Sequence, residues 1–208
     1  MGDVRRILRV GGHVAVDFVN TLGGRPENPD DEYLHGYEDL LTWTEQADLL
    51  APVTAGRLRS TAATEPIAAA TALHEARQLR GSLDGLLRAN LGTHRPAAVQ
   101  VQAAYLAAIA HATLQPDGVR LSWAWSDDGN DVNRPLWPIA VAAVDLLQAA
   151  PLHLLARCEH CRWLFLDTSR QHNRRWCSMN ACGAIIKMRR YRNNQRSEPP
   201  AEARTQAP

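Results

Sequence analysis

Apolar residues recur along this chain with several periods, and the changes of period divide it into elements. Two short β-branched runs, Ile7-Leu8-Arg9-Val10 and His13-Val14-Ala15-Val16, flank Gly11-Gly12, which predicts a β-hairpin closed by a glycine turn. Asp17, Asn20 and Thr21 come next. They are candidates to line a small-molecule pocket at the end of the second strand, although capping a helix start or tying down the next loop is the simpler role for such side chains. Residues 23–31 read as loop, with two prolines and clustered acids. Asp30, Asp31 and Glu32 lack the further oxygen ligands of a cation site and are read as a solvated turn.

Helical spacing begins at Tyr37, with Leu40, Leu41, Trp43, Ala47, Leu49 and Leu50 as its apolar positions, and should stop before Pro52. Glu65-Pro66 opens a longer helix whose inward stripe includes Ile67, Leu73, Leu79, Leu83 and Leu86. Another starts near Pro96 and runs through Val101, Leu106 and Leu114 to a turn at Gln115-Pro116-Asp117-Gly118. Val119 to Trp125 alternates as a strand, Ser126 to Asp131 is a polar loop, and Leu136 to Ala150 is a strongly apolar helix broken by Pro151. Trp163 to Leu166 suits a small strand. Ser178-Met179-Asn180 leads into a last helix, and the polar, proline-rich tail from Ser197 is expected to be disordered.

The chemistry is concentrated late in the chain. Cys158-x2-Cys161, fifteen residues, then Cys177-x4-Cys182 can bring four thiolates to one point, as a tetrahedral zinc ion requires. Cys182 would lie in the first turn of the last helix, where free backbone N–H groups and the helix dipole favour ionised sulfur. Disulfides, an iron–sulfur cluster or unpaired thiols are the alternatives, and the N-terminus MGDVRRILRV has no apolar core of signal-peptide length to favour disulfides. His160 and His172 are substitute ligands only if a thiolate fails, since four sulfurs already close the shell. A closed shell leaves no position for water, so one Zn²⁺ per chain is expected in a structural role.

Charge is distributed unevenly. The 208 residues carry a net +1, yet residues 157–196 sum to +8 and residues 1–156 to −6. A basic segment of this density matches polyanions, and Arg170, Arg174, Arg175, Lys187, Arg189, Arg190 and Arg192 are the candidate nucleic-acid contacts. The bland reading of the same residues is solubility, or pairing with the acidic N-terminal region. No apolar run approaches the ~20 residues that span a bilayer, so a soluble cytoplasmic protein with reduced cysteines is expected.

Trp163-Leu164-Phe165-Leu166-Asp167-Thr168-Ser169, then Arg174-Arg175-Trp176-Cys177-Ser178-Met179 and Ala181-Cys182-Gly183, resemble the CGNR zinc finger. Gly11-Gly12-His13, Val16-Asp17-Phe18-Val19-Asn20-Thr21 and Leu136-Trp137-Pro138-Ile139-Ala140 resemble the ABATE domain that precedes this finger in its family, whose members are thought to regulate transcription under stress. The resemblance implies an α+β, mostly helical fold: an ABATE-like domain over residues 1–152 with a β-hairpin and several helices, a small four-cysteine zinc finger over 153–196, and a tail over 197–208. The N-terminal domain would sense a small-molecule effector or form a homodimer. One departure from the family stands in the signature itself, where Cys182-Gly183 is followed by Ala184-Ile185 in place of Asn-Arg.

Two function classes follow. In the first, the finger helix contacts DNA and the protein regulates transcription. In the second, the zinc unit only staples a ligand-binding or interaction module, with Ile185, Ile186, Met188 and Tyr191 docked on the N-terminal domain. No enzyme is expected: His74-Glu75 lacks the second histidine of a His-Glu-x-x-His metal site, Gln78 standing in its place, and no nucleophile and base sit at diagnostic spacing. The absence of a Gly/Ser linker before Cys158 predicts that the two modules pack closely.

Overall fold

The long helix Pro66–Arg88 (α4) is the spine against which the other elements pack, in a computed structural model that describes residues 2–24, 31–89, 94–126 and 129–197. Its inward residues Ala69, Ala72, Leu73, Ala76, Leu79, Leu83 and Leu86 are buried, so one stripe of a 23-residue helix faces the core, as an amphipathic period dictates. Around it lie Val14–Val19 (α1), Tyr37–Gln46 (α2), Pro52–Thr64 (α3), Arg95–Ala110 (α5) and Leu136–Ala149 (α6). Phe18 and Trp43 meet near the centre with ring centroids 5.3 Å apart. The chain is mostly helical, with two small antiparallel sheets among the described residues.

The expected N-terminal hairpin is not formed. Val4–Arg6 is a 3-10 turn, Gly12 turns the chain at φ 77°, and His13 caps α1 by accepting the Ala15 N–H at its Nδ1. Ala15, Val16, Phe18 and Val19 are all buried, so the run is apolar on nearly every side. Such a run has no period that separates a buried strand from a buried helix, and the surroundings choose. Here α4, α6 and the finger enclose it.

A hairpin does form later, where only its second strand was expected. Ala112–Asp117 (β1) pairs with Arg120–Trp125 (β2) in a register that sets Asp117 opposite Arg120. The two intervening residues begin with Gly118 at φ 61°, the left-handed conformation a tight hairpin needs. Leu114 therefore belongs to a strand and not to α5. Helix α3 was not anticipated: Pro52 does not simply end the preceding helix but begins a new one at its first position, where proline costs no hydrogen bond. Residues 25–30 and 127–128 of the expected loops, and 198–208 of the tail, lie outside the described residues.

The finger is built into this body. Leu155–Arg157 (β3) and Leu164–Leu166 (β4) form a hairpin around the first cysteine pair, and Met179–Gly183 forms a π-type turn leading into Ala184–Ser197 (α7). Strand alternation divides β4 between two cores: Leu164 and Leu166 join the main core, while Phe165 packs with the four cysteines. Close packing of the modules, expected from the missing linker, follows from this two-sided strand.

Candidate metal centre

The first cysteine pair sits on a knuckle closed by backbone bonds. Cys158 donates its N–H to Trp163 O at 2.8 Å, and its carbonyl accepts the Arg162 N–H at 3.0 Å, with Arg162 held at φ 66°. The second pair flanks the turn before α7, where Gly183 N–H bonds Ser178 O. Together they place the four sulfurs within 4.8 Å of one another, with Cys161 to Cys177 at 3.6 Å and Cys177 to Cys182 at 3.7 Å. Thiolates about 2.3 Å from one Zn²⁺ in a tetrahedron stand about 3.8 Å apart, so the cluster has the size that zinc demands. All four are buried and none forms a disulfide.

Electrostatics point the same way. Hydrogen bonds from Cys161 and Cys177 pull the Cys158 thiol far below its ordinary range. Sharing with Cys158 raises Cys161 and Cys177, while burial and the neighbouring Cys161 push Cys182 up to about 12. Without a cation, four crowded sulfurs hold back one another's ionisation. A divalent ion removes that conflict, and the site is able to bind one zinc ion. His172 does not join it: its Nδ1 bonds Asp167 O at 2.7 Å and the residue is exposed. His160 is likewise not among the clustered ligands.

The loop between the cysteine pairs is held by Asp167. Burial opposes its charge, but hydrogen bonds from Ser169 and Arg174 outweigh that and keep its carboxyl below the ordinary range. Arg174 also donates to Cys177 O at 2.6 Å and lays its guanidinium over the Phe165 ring, 4.6 Å from the centroid. Arg175 forms a two-bond pair with Glu159, at 2.8 and 2.5 Å. These two arginines, expected at a nucleic-acid surface, are occupied within the finger. Arg174 braces a ligand's backbone, which spacing could not show because its partners are a carbonyl and a ring.

Arg170, Lys187, Arg189, Arg190 and Arg192 are exposed, and among the described residues none lies within ion-pair distance of a carboxylate. Helix α7 stands clear of the body. From Ala184 to Gln195 only Ile186 is partly covered, while Ile185, Met188 and Tyr191 are 53%, 50% and 58% exposed. The docking of those apolar residues on the N-terminal domain, expected for a purely stapling zinc unit, does not occur. Helical spacing places them on one side, with Lys187 and Arg190 on the other. Ala184 and Ile185, at the departed signature positions, are also exposed.

Asp17, Asn20 and Thr21 are buried and engaged with the chain itself. Asp17 accepts the Gly11 N–H at 2.7 Å, and Thr21 donates to Phe18 O and accepts from Arg80. Asn20 bonds both backbone groups of Leu164, donating to its carbonyl at 2.8 Å and accepting its N–H at 2.9 Å. None of the three lines the described clefts beside α4. Their role is to fasten the N-terminal segment, and through Asn20 the finger.

Residues 12–150 match the ABATE family model, described as "Putative stress-induced transcription regulator", and residues 155–195 match that of the CGNR zinc finger. No curated protein matches the chain. Among the described residues, no helix is long and apolar enough to cross a membrane.

Proposed function

Because the chain belongs to the ABATE family and carries a CGNR zinc finger, we propose that it is a cytoplasmic transcription regulator of a stress response that meets DNA through α7. Arg170, Lys187, Arg189, Arg190 and Arg192 contact phosphates, and Arg174 and Arg175 hold the zinc loop in shape behind them. The observation that carries this reading is a basic helix anchored by the zinc cluster at its start and open to solvent along its described length. Phosphate contacts supply most of the affinity in such an arrangement, and they weaken as salt rises. Ala184 and Ile185 offer no polar group for base edges, so sequence preference comes from other positions on the helix. A zinc shell of four sulfurs leaves no place on the metal for a substrate.

The test is fluorescence anisotropy with the zinc-loaded full chain and a random-sequence duplex, at two salt concentrations. Binding that falls with salt and drops further in a Lys187→Ala, Arg190→Ala double variant supports the proposal. Absence of binding at low salt would overturn it in favour of a protein-interaction module.

A further inference from the structure

Helices α4, α5 and the start of α6 leave between them an open cleft of about 410 Å³. That is within the range of small-molecule sites, about 300–1,000 Å³. Its space comes from the sequence of α5: Ala103, Ala104 and Ala107 share a face of the helix and extend no further than Cβ, while Gln100 on that face crosses to Ser82 of α4 at one end. Leu79 and Leu136 are buried and complete an apolar floor.

One wall is aromatic and braced. Trp137 stacks on His111 with centroids 4.5 Å apart and planes 8° from parallel, and the Arg134 guanidinium lies 5.9 Å from the same indole and 5.2 Å from that of Trp125. Trp125 is itself fixed by donating its Nε1–H to Ala108 O on α5. The wall is thus tied to α5 and α6.

Charge then selects the ligand. Glu75 and Asp131 line the opening; among the described lining residues there is no lysine or arginine, and the neighbouring cation, Arg134, lies against the Trp137 ring. A second hollow of about 310 Å³, between α4 and the zinc knuckle, differs in being lined by Arg80, Arg88, Arg157 and Arg162 with one carboxylate, Asp84. We infer that the cleft of α4, α5 and α6 is a binding site for a small organic cation with an apolar body, an aryl- or alkyl-ammonium or an amidinium. The body lies on the alanine and leucine floor against Trp137, and the head group donates to Glu75 or Asp131. Amide oxygens of Gln78 and Asn133 are within the same lining and accept remaining N–H groups. A polyanion is repelled from this opening, so the site is separate from the basic helix and does not depend on the DNA reading.

The experiment titrates zinc-loaded full chain with 2-phenylethylammonium and benzamidinium by calorimetry, beside neutral 2-phenylethanol and anionic 3-phenylpropanoate. At least one cation should bind about tenfold more tightly than the neutral and anionic compounds, the worth of one charge-assisted hydrogen bond. Glu75→Gln or Asp131→Asn should remove that preference. Ala107→Leu, at an exposed position on the cleft wall, should abolish binding while the thermal melt stays that of the parent; Glu65→Gln, away from the cleft, should change nothing. Failure of both cations to bind, equal binding of all four compounds, or binding untouched by Glu75→Gln, Asp131→Asn and Ala107→Leu would each overturn the inference.

Discussion

The side-chain amide of Asn20 is bonded to both backbone groups of Leu164, 144 residues further along the chain, at 2.8 and 2.9 Å. It satisfies one edge of β4 as a neighbouring strand would. Replacing Asn20 with alanine leaves a buried N–H and a buried carbonyl without partners, which should cost about 2–4 kcal/mol. Urea unfolding of Asn20→Ala should show that loss. Because Leu164 also belongs to the main core, the finger and the N-terminal domain should unfold in one transition.

Removing the metal should act on the whole chain. Cys177→Ser, or a strong chelator, should release one zinc per chain and lower the unfolding temperature measured by circular dichroism. Loading should release protons, since most of these thiols are raised when no ion is present, Cys182 to about 12. Apparent zinc affinity should therefore fall as pH falls. A pH-independent affinity would contradict thiolate ligation.

Arg174 and Lys187 should separate support from contact. Arg174→Ala removes the bond to Cys177 O and the guanidinium over Phe165, and should loosen zinc retention and lower stability by about 1–3 kcal/mol. Lys187→Ala, on the exposed helix, should leave the melt within about 0.5 kcal/mol. It should weaken DNA binding and reduce the salt slope by about one.

Glu32 and Arg80 form a partly buried pair, with a second arginine, Arg77, 3.7 Å away. Burial disfavours the Glu32 charge, but the Arg80 hydrogen bonds outweigh it and hold its carboxyl below the ordinary range. A depressed folded-state pKa stabilises the fold above the unfolded value, and that contribution disappears as pH falls through the folded value. Glu32→Gln should thus cost about 3 kcal/mol near neutrality and flatten the acid side of the stability profile. An unchanged slope between parent and variant below pH 5 would refute the assignment.

Gly24 faces the Trp163 indole so closely that an added Cβ would stand 2.4 Å from a ring carbon, and its φ is 96°. Gly24→Ala should displace the ring, break its Nε1–H bond to Leu22 O, and shift tryptophan emission to the red along with a lower melting temperature.

The four-cysteine cluster, the basic character of α7, the start of α2 and the spans of α4 and α6 were legible in the amino-acid order, whereas α2 ends at Gln46, short of the expected Leu49 and Leu50. Each rests on spacing within a few dozen residues: two cysteine pairs fifteen residues apart, charge density along one helix, apolar stripes of helical period. Tertiary structure decided the rest. Whether Val14 to Val19 became helix or strand, whether Asn20 faced a ligand or Leu164, and whether Arg174 touched a polyanion or Cys177 O depended on groups far away in sequence. A uniformly apolar run carries no period, and an amide or guanidinium bonds equally well to solvent, ligand or backbone. Only the packed chain supplies the partner that breaks that degeneracy, which is also why Ile185, Met188 and Tyr191, apolar yet uncovered, could not be placed from their residue types alone.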